Sequence, residues 1–331
     1  QGLYHKGDLD LLEANAPNAQ VCKRAVVVGG GLIGIELAEM LHSRHIPVTF
    51  LVRDQNFWEG VLPTQNAKLL NEHILSHGID LRLNTELKEV VEGDHGRVKA
   101  IITNHNERID CELVGITTGV QPNIDFIKTT PIKTDKGVLV NKYLETNIEG
   151  IYAIGDCAQQ TELSGLRRPI EAVWYTGRMM GETLAQTICG NKRAYQPGHW
   201  FNSAKFFDVE YQTYGWVNTD HRKPEHEQHF HWKHPQEPIA ITIAYHKETN
   251  ELLGINSFGI RLRHPVLDAW LTQQKSLPYC LAHWADALFD PEFSTSHQKD
   301  LLAFYNTTFQ KSLKPVKKSW ASIFNPFSTN L

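Results

Sequence analysis

The chain has 331 residues, 41% of them hydrophobic and 21% charged, and carries a formal net charge of -4. That composition suits two or three globular domains, each able to bury a core, and leaves no basic footprint for nucleic acid. No apolar run approaches the roughly 18 to 20 residues needed to span a bilayer, and no charged start precedes an apolar core as in a secretory signal. Cys22, Cys111, Cys157, Cys189 and Cys280 are scattered and form no CxxC pair. Reduced thiols in a cytoplasmic protein are therefore expected, with no disulfide framework and no metal site.

Residues 1–20 open on Gln1 and run through a polar, helix-like segment that reads as a linker entered midway. From Ala25 to Val28 the chain turns continuously β-branched, as a parallel strand buried on both faces requires. A turn through Gly29, Gly30 and Gly31 follows, then Leu32, Ile33 and Gly34, after which Ile35, Leu37, Ala38 and Leu41 recur at helix spacing. Strand, glycine turn and helix stand in the order a dinucleotide site requires. Gly29 permits the tight turn, Gly31 lets the backbone approach a pyrophosphate, and Gly34 lets helix and strand pack closely. The amides opening the helix would face the phosphates, where the helix dipole favours negative charge.

A second strand is expected over residues 48–52. Its end, Val52-Arg53-Asp54, sets an arginine that suits a 2'-phosphate beside a carboxylate that suits a ribose 2'-hydroxyl. Arg53 as a plain solvated charge fits equally well. A helix over 64–76 and strands over 80–83, 87–91, 98–103 and 113–117 complete the domain, with a hairpin turning at Gly93-Asp94-His95-Gly96. Further on, IYAIGDCAQ, residues 151–159, reads as a buried strand ending on a placed carboxylate, Asp156. A helix is expected to begin near Ala172-Val173-Trp174, with Glu171 and Arg178 both suiting it.

In order, GGGLIGIE, TTGVQPN with Gly119, and IYAIGDCA resemble the pyridine-nucleotide, FAD-dependent oxidoreductase superfamily, which includes rubredoxin and ferredoxin reductases and the NADH subunit of nitrite reductase. The resemblance implies a doubly wound α/β fold in which a nicotinamide domain is inserted between two halves of a flavin domain. It implies that Asp156, beside Gly155, binds the ribityl chain of FAD, and that Val173 and Trp174 open a helix pointing at the flavin's pyrimidine end. Glu36 matches a glutamate that the family places near the meeting of nicotinamide and flavin; a helix-start charge favoured by the dipole is the other reading. The separation of Gly29 from Asp156 suits the NAD(P)H fingerprint and not the flavin's own, so the FAD pyrophosphate turn is expected in roughly a hundred residues ahead of Gln1.

The resemblance thus divides the chain into a linker at 1–20, an NAD(P)H domain at 21–116, the second half of a FAD domain at 117–197, a β-rich α+β C-terminal domain at 198–310 and a tail at 311–331. In the C-terminal domain Trp200, Phe201 and Lys205 would line the flavin edge, unless the aromatics are plain core. FFDVEYQTY alternates like one half-buried strand, and residues 240–260 read as a hairpin turning near 247–251. The histidine-rich run at 221–234 reads as a solvated hairpin, since only His229 and His231 would share a strand face. The tail residues Trp320, Ile323, Phe324 and Phe327 would either dock or fray.

The activity implied is hydride transfer from NAD(P)H to FAD and electron delivery to a redox protein or small molecule, with no side chain as catalyst and no membrane or nucleic-acid partner. Arg53 beside Val52 implies NADPH or dual coenzyme use, tempered by Glu59, which would repel a 2'-phosphate. A chain that binds NAD(P) without flavin, as a sensor or interaction module, is the alternative. A disulfide substrate is disfavoured because the paired histidines of the disulfide reductases have no counterpart.

Overall fold

The computed structural model describes residues 2–163 and 165–316. The expected contacts of Trp320, Ile323, Phe324 and Phe327 lie outside them. The polypeptide forms two compact units, one built from the residues up to Thr117 together with those from Ser203 on, the other from Thr118–Asn202.

The first unit opens with α1 (Lys6–Asn15), which His5 caps by accepting from the Asp8 amide while the Asp8 carboxylate takes the amides of Tyr4 and His5. Leu12 and Ala16 are buried in the main core, so the expected linker is a docked helix. β1 (Ala25–Val28), α2 (Leu32–His42), β2 (Val48–Leu51), α3 (Thr64–Ser76), β3 (Asp80–Arg82) and, beyond an inserted meander, β7 (Leu113–Ile116) make a parallel sheet in the order β3-β2-β1-β7. β1 and β2 are buried along their whole length, which is what their uninterrupted apolar runs demand. The meander is β4 (Leu87–Glu92), β5 (Val98–Thr103) and β6 (Arg108–Asp110), with left-handed His95 and Gly96 turning the first hairpin. β6 carried too short an apolar signal to be expected.

The second unit contains β8 (Val138–Val140) paired parallel with β9 (Ala158–Gln160), and α4 (Trp174–Ile188). Residues 151–154 are not the expected strand: they hold only an isolated bridge from Tyr152 to Glu145. Their four residues break at Gly155 (φ +73) into a one-turn 3-10 helix, and the ladder starts only at Ala158.

The first unit resumes through β10 (Phe201–Phe206), whose first residues lie in the second unit, followed by β11 (Val209–Gly215), β12 (Glu227–Lys233), β13 (Ala240–His246) and β14 (Leu252–Phe258). These form a five-stranded sheet in the order β10-β11-β14-β13-β12, flanked by α5 (His264–Thr272), α6 (Leu277–Ala282), α7 (Trp284–Ala287) and α8 (Gln298–Phe309). FFDVEYQTY is two strands, not one, because Phe207 takes a left-handed conformation (φ +55) and reverses the chain at Phe207-Asp208. The hairpin near 247–251 forms between β13 and β14 as expected. The histidine-rich run is not a solvated hairpin: Glu227, Phe230 and Trp232 of β12 are buried.

α3 joins the parallel sheet to this C-terminal sheet. Asn66 donates to Thr242 Oγ1 at 2.8 Å and accepts from Asn256 at 3.3 Å, and Tyr211 donates to Asn256 at 3.2 Å, all out of solvent. Phe50, Phe57, Phe206, Tyr211 and Phe258 fill the core around that network, with successive ring centroids 4.9 to 6.1 Å apart.

Candidate cofactor-binding sites

In the first unit the glycines stand where β1 ends. Gly29 has φ +122, and a Cβ there would lie 2.5 Å from the Thr117 carbonyl oxygen. At Gly34 a Cβ would meet the Gly29 carbonyl oxygen at 2.3 Å and Phe50 at 3.1 Å. Helix α2 can cross β1 this closely only because no side chain intervenes. Gly30 is similarly pressed, against Val52 at 2.8 Å, whereas a Cβ on Gly31 would meet nothing within 4 Å. The turn is crowded behind and open in front, as a backbone that receives a pyrophosphate must be.

Gly31 is the N-cap of α2 and makes no side-chain cap. The amides of Leu32, Ile33 and Gly34, at the positive end of the helix dipole, are therefore available to an anion. Thr117 was not expected here. Its hydroxyl donates to the Val28 carbonyl at 2.9 Å and ties the end of β7 to the glycine turn. Its signal was the threonine pair ahead of Gly119.

Glu36 lies on the exposed face of α2, where desolvation and then the neighbouring Glu39 carboxylate raise its carboxyl above the usual carboxylate range. Arg53, beyond β2, is 78% exposed and pairs with the Asp54 carboxylate at 3.5 Å. The Glu59 carboxylate accepts from the Asn56 amide at 3.1 Å and lies 3.9 Å from His221 Nε2. Lys205, on β10, is exposed and 4.0 Å from Glu39.

In the second unit Gly119 (φ +123) opens the segment, and Gly155 and Asp156 form the 3-10 turn. That turn rests on α4. The Gly155 amide donates to Met180 Sδ at 3.4 Å, and a Cβ on Gly177 would stand 3.5 Å from the Gly155 Cα. Gly177 and Gly181, one helical turn apart, leave α4 bare where the turn approaches. Their spacing in GRMMG was the overlooked signal.

Asp156 is exposed, which corrects the expectation of a carboxylate at a buried strand end, and no side chain or amide of the described residues engages it. Val173 caps α4 without a side-chain bond, and Trp174 is 68% exposed, with Arg178 over its ring at 5.6 Å. Glu171 lies outside the helix it was assigned to. It is buried and binds Arg167 at 2.5 Å and Thr176 at 3.3 Å. Trp200 has the Arg167 guanidinium 5.2 Å from its ring, and Phe201 lies 5.1 Å from Tyr175.

Burial pushes Cys111 up to about 11 and Cys280 up to about 12, which keeps both protonated at neutral pH. Both glycine-bearing sites suit the groups the family implies: one has open room at Gly31 beneath uncapped amides, the other a disengaged carboxylate beside an uncapped helix.

Residues 4–181 match the family model described as pyridine nucleotide-disulphide oxidoreductase. The chain belongs to that family. It is 33% identical over 164 residues to a rubredoxin-NAD(+) reductase of Acinetobacter baylyi, covering 49% of this chain and 41% of that protein. It is 28% identical over 249 residues to an NAD(P)H coenzyme A polysulfide/persulfide reductase of Pyrococcus horikoshii, covering 72% and 55%. The chain thus spans about half the length of these curated relatives. Among solved structures, an NAD-dependent persulfide reductase from A. fulgidus superposes with a TM-score of 0.72 at 19% identity, over 94% of this chain and 64% of that one. That likeness carries the fold and reaches well into the C-terminal sheet.

Proposed function

We propose that this chain is the nicotinamide-binding and second flavin-binding portion of an FAD-dependent NAD(P)H oxidoreductase whose electrons pass to a redox protein or a small sulfur compound. On this reading residues 21–116 bind NAD(P)H, 117–197 complete a flavin domain, and the C-terminal sheet belongs to the reductase body. FAD, when bound, accepts the hydride of the nicotinamide and releases electrons singly or in pairs. The protein's own contribution is placement. The Gly29–Gly31 turn and the amides of Leu32 to Gly34 would take the pyrophosphate of NAD(P)H, Arg53 a 2'-phosphate, and Asp156 a hydroxyl of the ribityl chain, while Val173 and Trp174 set the helix end against the flavin ring. With Val52 where an acidic residue would select NAD, and Glu59 tied to Asn56, dual coenzyme use is the reading the residues support.

The single observation that carries the flavin half is Asp156: an exposed carboxylate with no partner among the described residues, on a turn that α4 leaves two glycines to receive. The test is the absorption spectrum of the full-length protein purified with FAD, and its bleaching by NADPH and by NADH side by side. Flavin bands that both coenzymes bleach are expected. Asp156→Ala should lower FAD affinity by about 1.5 to 3 kcal/mol, roughly 10- to 150-fold, through loss of one charge-assisted hydrogen bond. A colourless protein that still binds NAD(P)H would instead make it a nucleotide-binding module.

A further inference from the structure

We propose that His73, His77 and Asp208 form a divalent-cation site of the kind that takes Zn2+, clamping α3 to the turn between β10 and β11. No metal site was expected from the scattered cysteines or from the histidine-rich run at 221–234. These three residues come from segments more than a hundred positions apart and meet only in the fold. The proposal is independent of the flavin reading, since none of the three belongs to the glycine turn or to the second unit.

His73 and His77 are four residues apart on one face of α3, the spacing that presents two imidazoles to one ion. The Asp208 carboxylate closes the third side: its Oδ1 lies 2.9 Å from His73 Nε2 and 3.1 Å from His77 Nε2. One ligand atom from each residue lies within 4.8 Å of the others. Zinc bonds of about 2.0 to 2.2 Å at tetrahedral angles set neighbouring ligand atoms about 3.3 Å apart. The two separations to Asp208 depart from that by a few tenths of an ångström, so a cation needs little more than rotation of side chains.

The surroundings hold the set in place. His73 is buried, its side chain 5% exposed, and its Nε2, 3.2 Å from the Phe206 carbonyl, would give up its proton and that hydrogen bond to take the ion. The His77 ring stacks on Phe207 at 4.3 Å, and the Phe207 amide donates to Glu39 at 3.1 Å, so the turn that carries Asp208 is gripped from α2 and α3 alike. Asp208 is 75% exposed, which leaves an entry path and a fourth position for water. Two imidazoles and one carboxylate are a ligand set that suits Zn2+, and the ion would act as a cross-link within the first unit.

The experiment is calorimetric titration of the chelator-stripped full chain with ZnCl2, paired with thermal unfolding in Zn2+ and in chelator. One bound Zn2+ per chain and a midpoint raised by about 4 °C or more at saturation are expected. Asp208→Asn and His77→Gln, both at solvent-accessible positions, should remain cooperatively folded in chelator yet bind Zn2+ at least about tenfold more weakly and lose the rise. A rise of equal size in the wild type and both variants would place the ion elsewhere and overturn the site. So would an absence of binding in the wild type, which would leave a hydrogen-bonded His–Asp cluster and nothing more.

Discussion

Two glycines three positions apart in the same turn are constrained by opposite things. Gly34 is bare because the protein occupies the space: its Cβ would stand 2.3 Å from the Gly29 carbonyl oxygen and 2.8 Å from Thr117 Oγ1. Gly31 is bare although the protein leaves the space empty. Gly34→Ala should therefore cost about 1 to 3 kcal/mol of stability by overpacking, read as a lowered denaturation midpoint. Gly31→Val should unfold close to the wild type while weakening NAD(P)H by about 2 to 3 kcal/mol, roughly 30- to 150-fold in a nucleotide titration. Unaltered coenzyme affinity in a folded Gly31→Val protein would remove the pyrophosphate from this turn. Both glycines were legible in the sequence as one fingerprint. The distinction between them was not, since it depends on Phe50, Thr117 and the β7 end, which only folding brings there.

At the scale of the element, the loop before α4 is organised by a buried ion pair. Arg167 and Glu171 have side chains 6% and 2% exposed, and Glu171 also receives the Arg168 amide at 3.2 Å and the Thr176 hydroxyl. Among the described residues Arg167 Nε and Nη1 have no hydrogen-bond partner, so the pair is imperfectly satisfied and its net worth against apolar residues is small. Breaking one side is another matter. Arg167→Ala strands a buried carboxylate and should destabilise the chain by about 3 to 5 kcal/mol in denaturant unfolding, whereas Arg167→Met with Glu171→Leu should lie much nearer the wild type. Equal losses in both proteins would mean that the loop depends on volume and not on charge. Sequence periodicity assigned Glu171 to the helix because an acidic residue suits a first turn. Its burial depends instead on the loop folding back, for which no periodicity exists.

Across the whole molecule, β12 adds a pH dependence. His231 donates or accepts at Thr242 Oγ1, 2.8 Å away, and burial, then Lys233 and His229, push its imidazole down to about 4. Glu227 opens the same strand and is bound to His229 and Asn218. His231 is neutral in the fold and takes up a proton on unfolding once pH is below its ordinary value of 6.5. The unfolded chain binds more protons between about 6.5 and 4, so stability falls as pH falls through that window, by no more than on the order of 3 kcal/mol. His231→Gln should unfold with a flatter pH profile there, and an unchanged slope would show that β12 does not contribute to acid lability. The histidine-rich run thus forms a load within the C-terminal sheet where the sequence suggested solvated charge, because the β12 face toward β13 is decided by strand pairing.

By itself the sequence determined the β1–turn–α2 unit, the parallel strands after it, the β13–β14 hairpin and the family, because these depend on local order: β-branched runs, glycine positions and helical spacing act within a few tens of residues. Tertiary structure alone decided that residues 1–20 dock through Leu12, that Asp156 stands exposed, that FFDVEYQTY reverses at Phe207, and that His73 and His77 meet Asp208. Each of those outcomes rests on contact between segments distant in the chain. Burial and the convergence of side chains are properties of packing, and a one-dimensional pattern contains no distance between such segments.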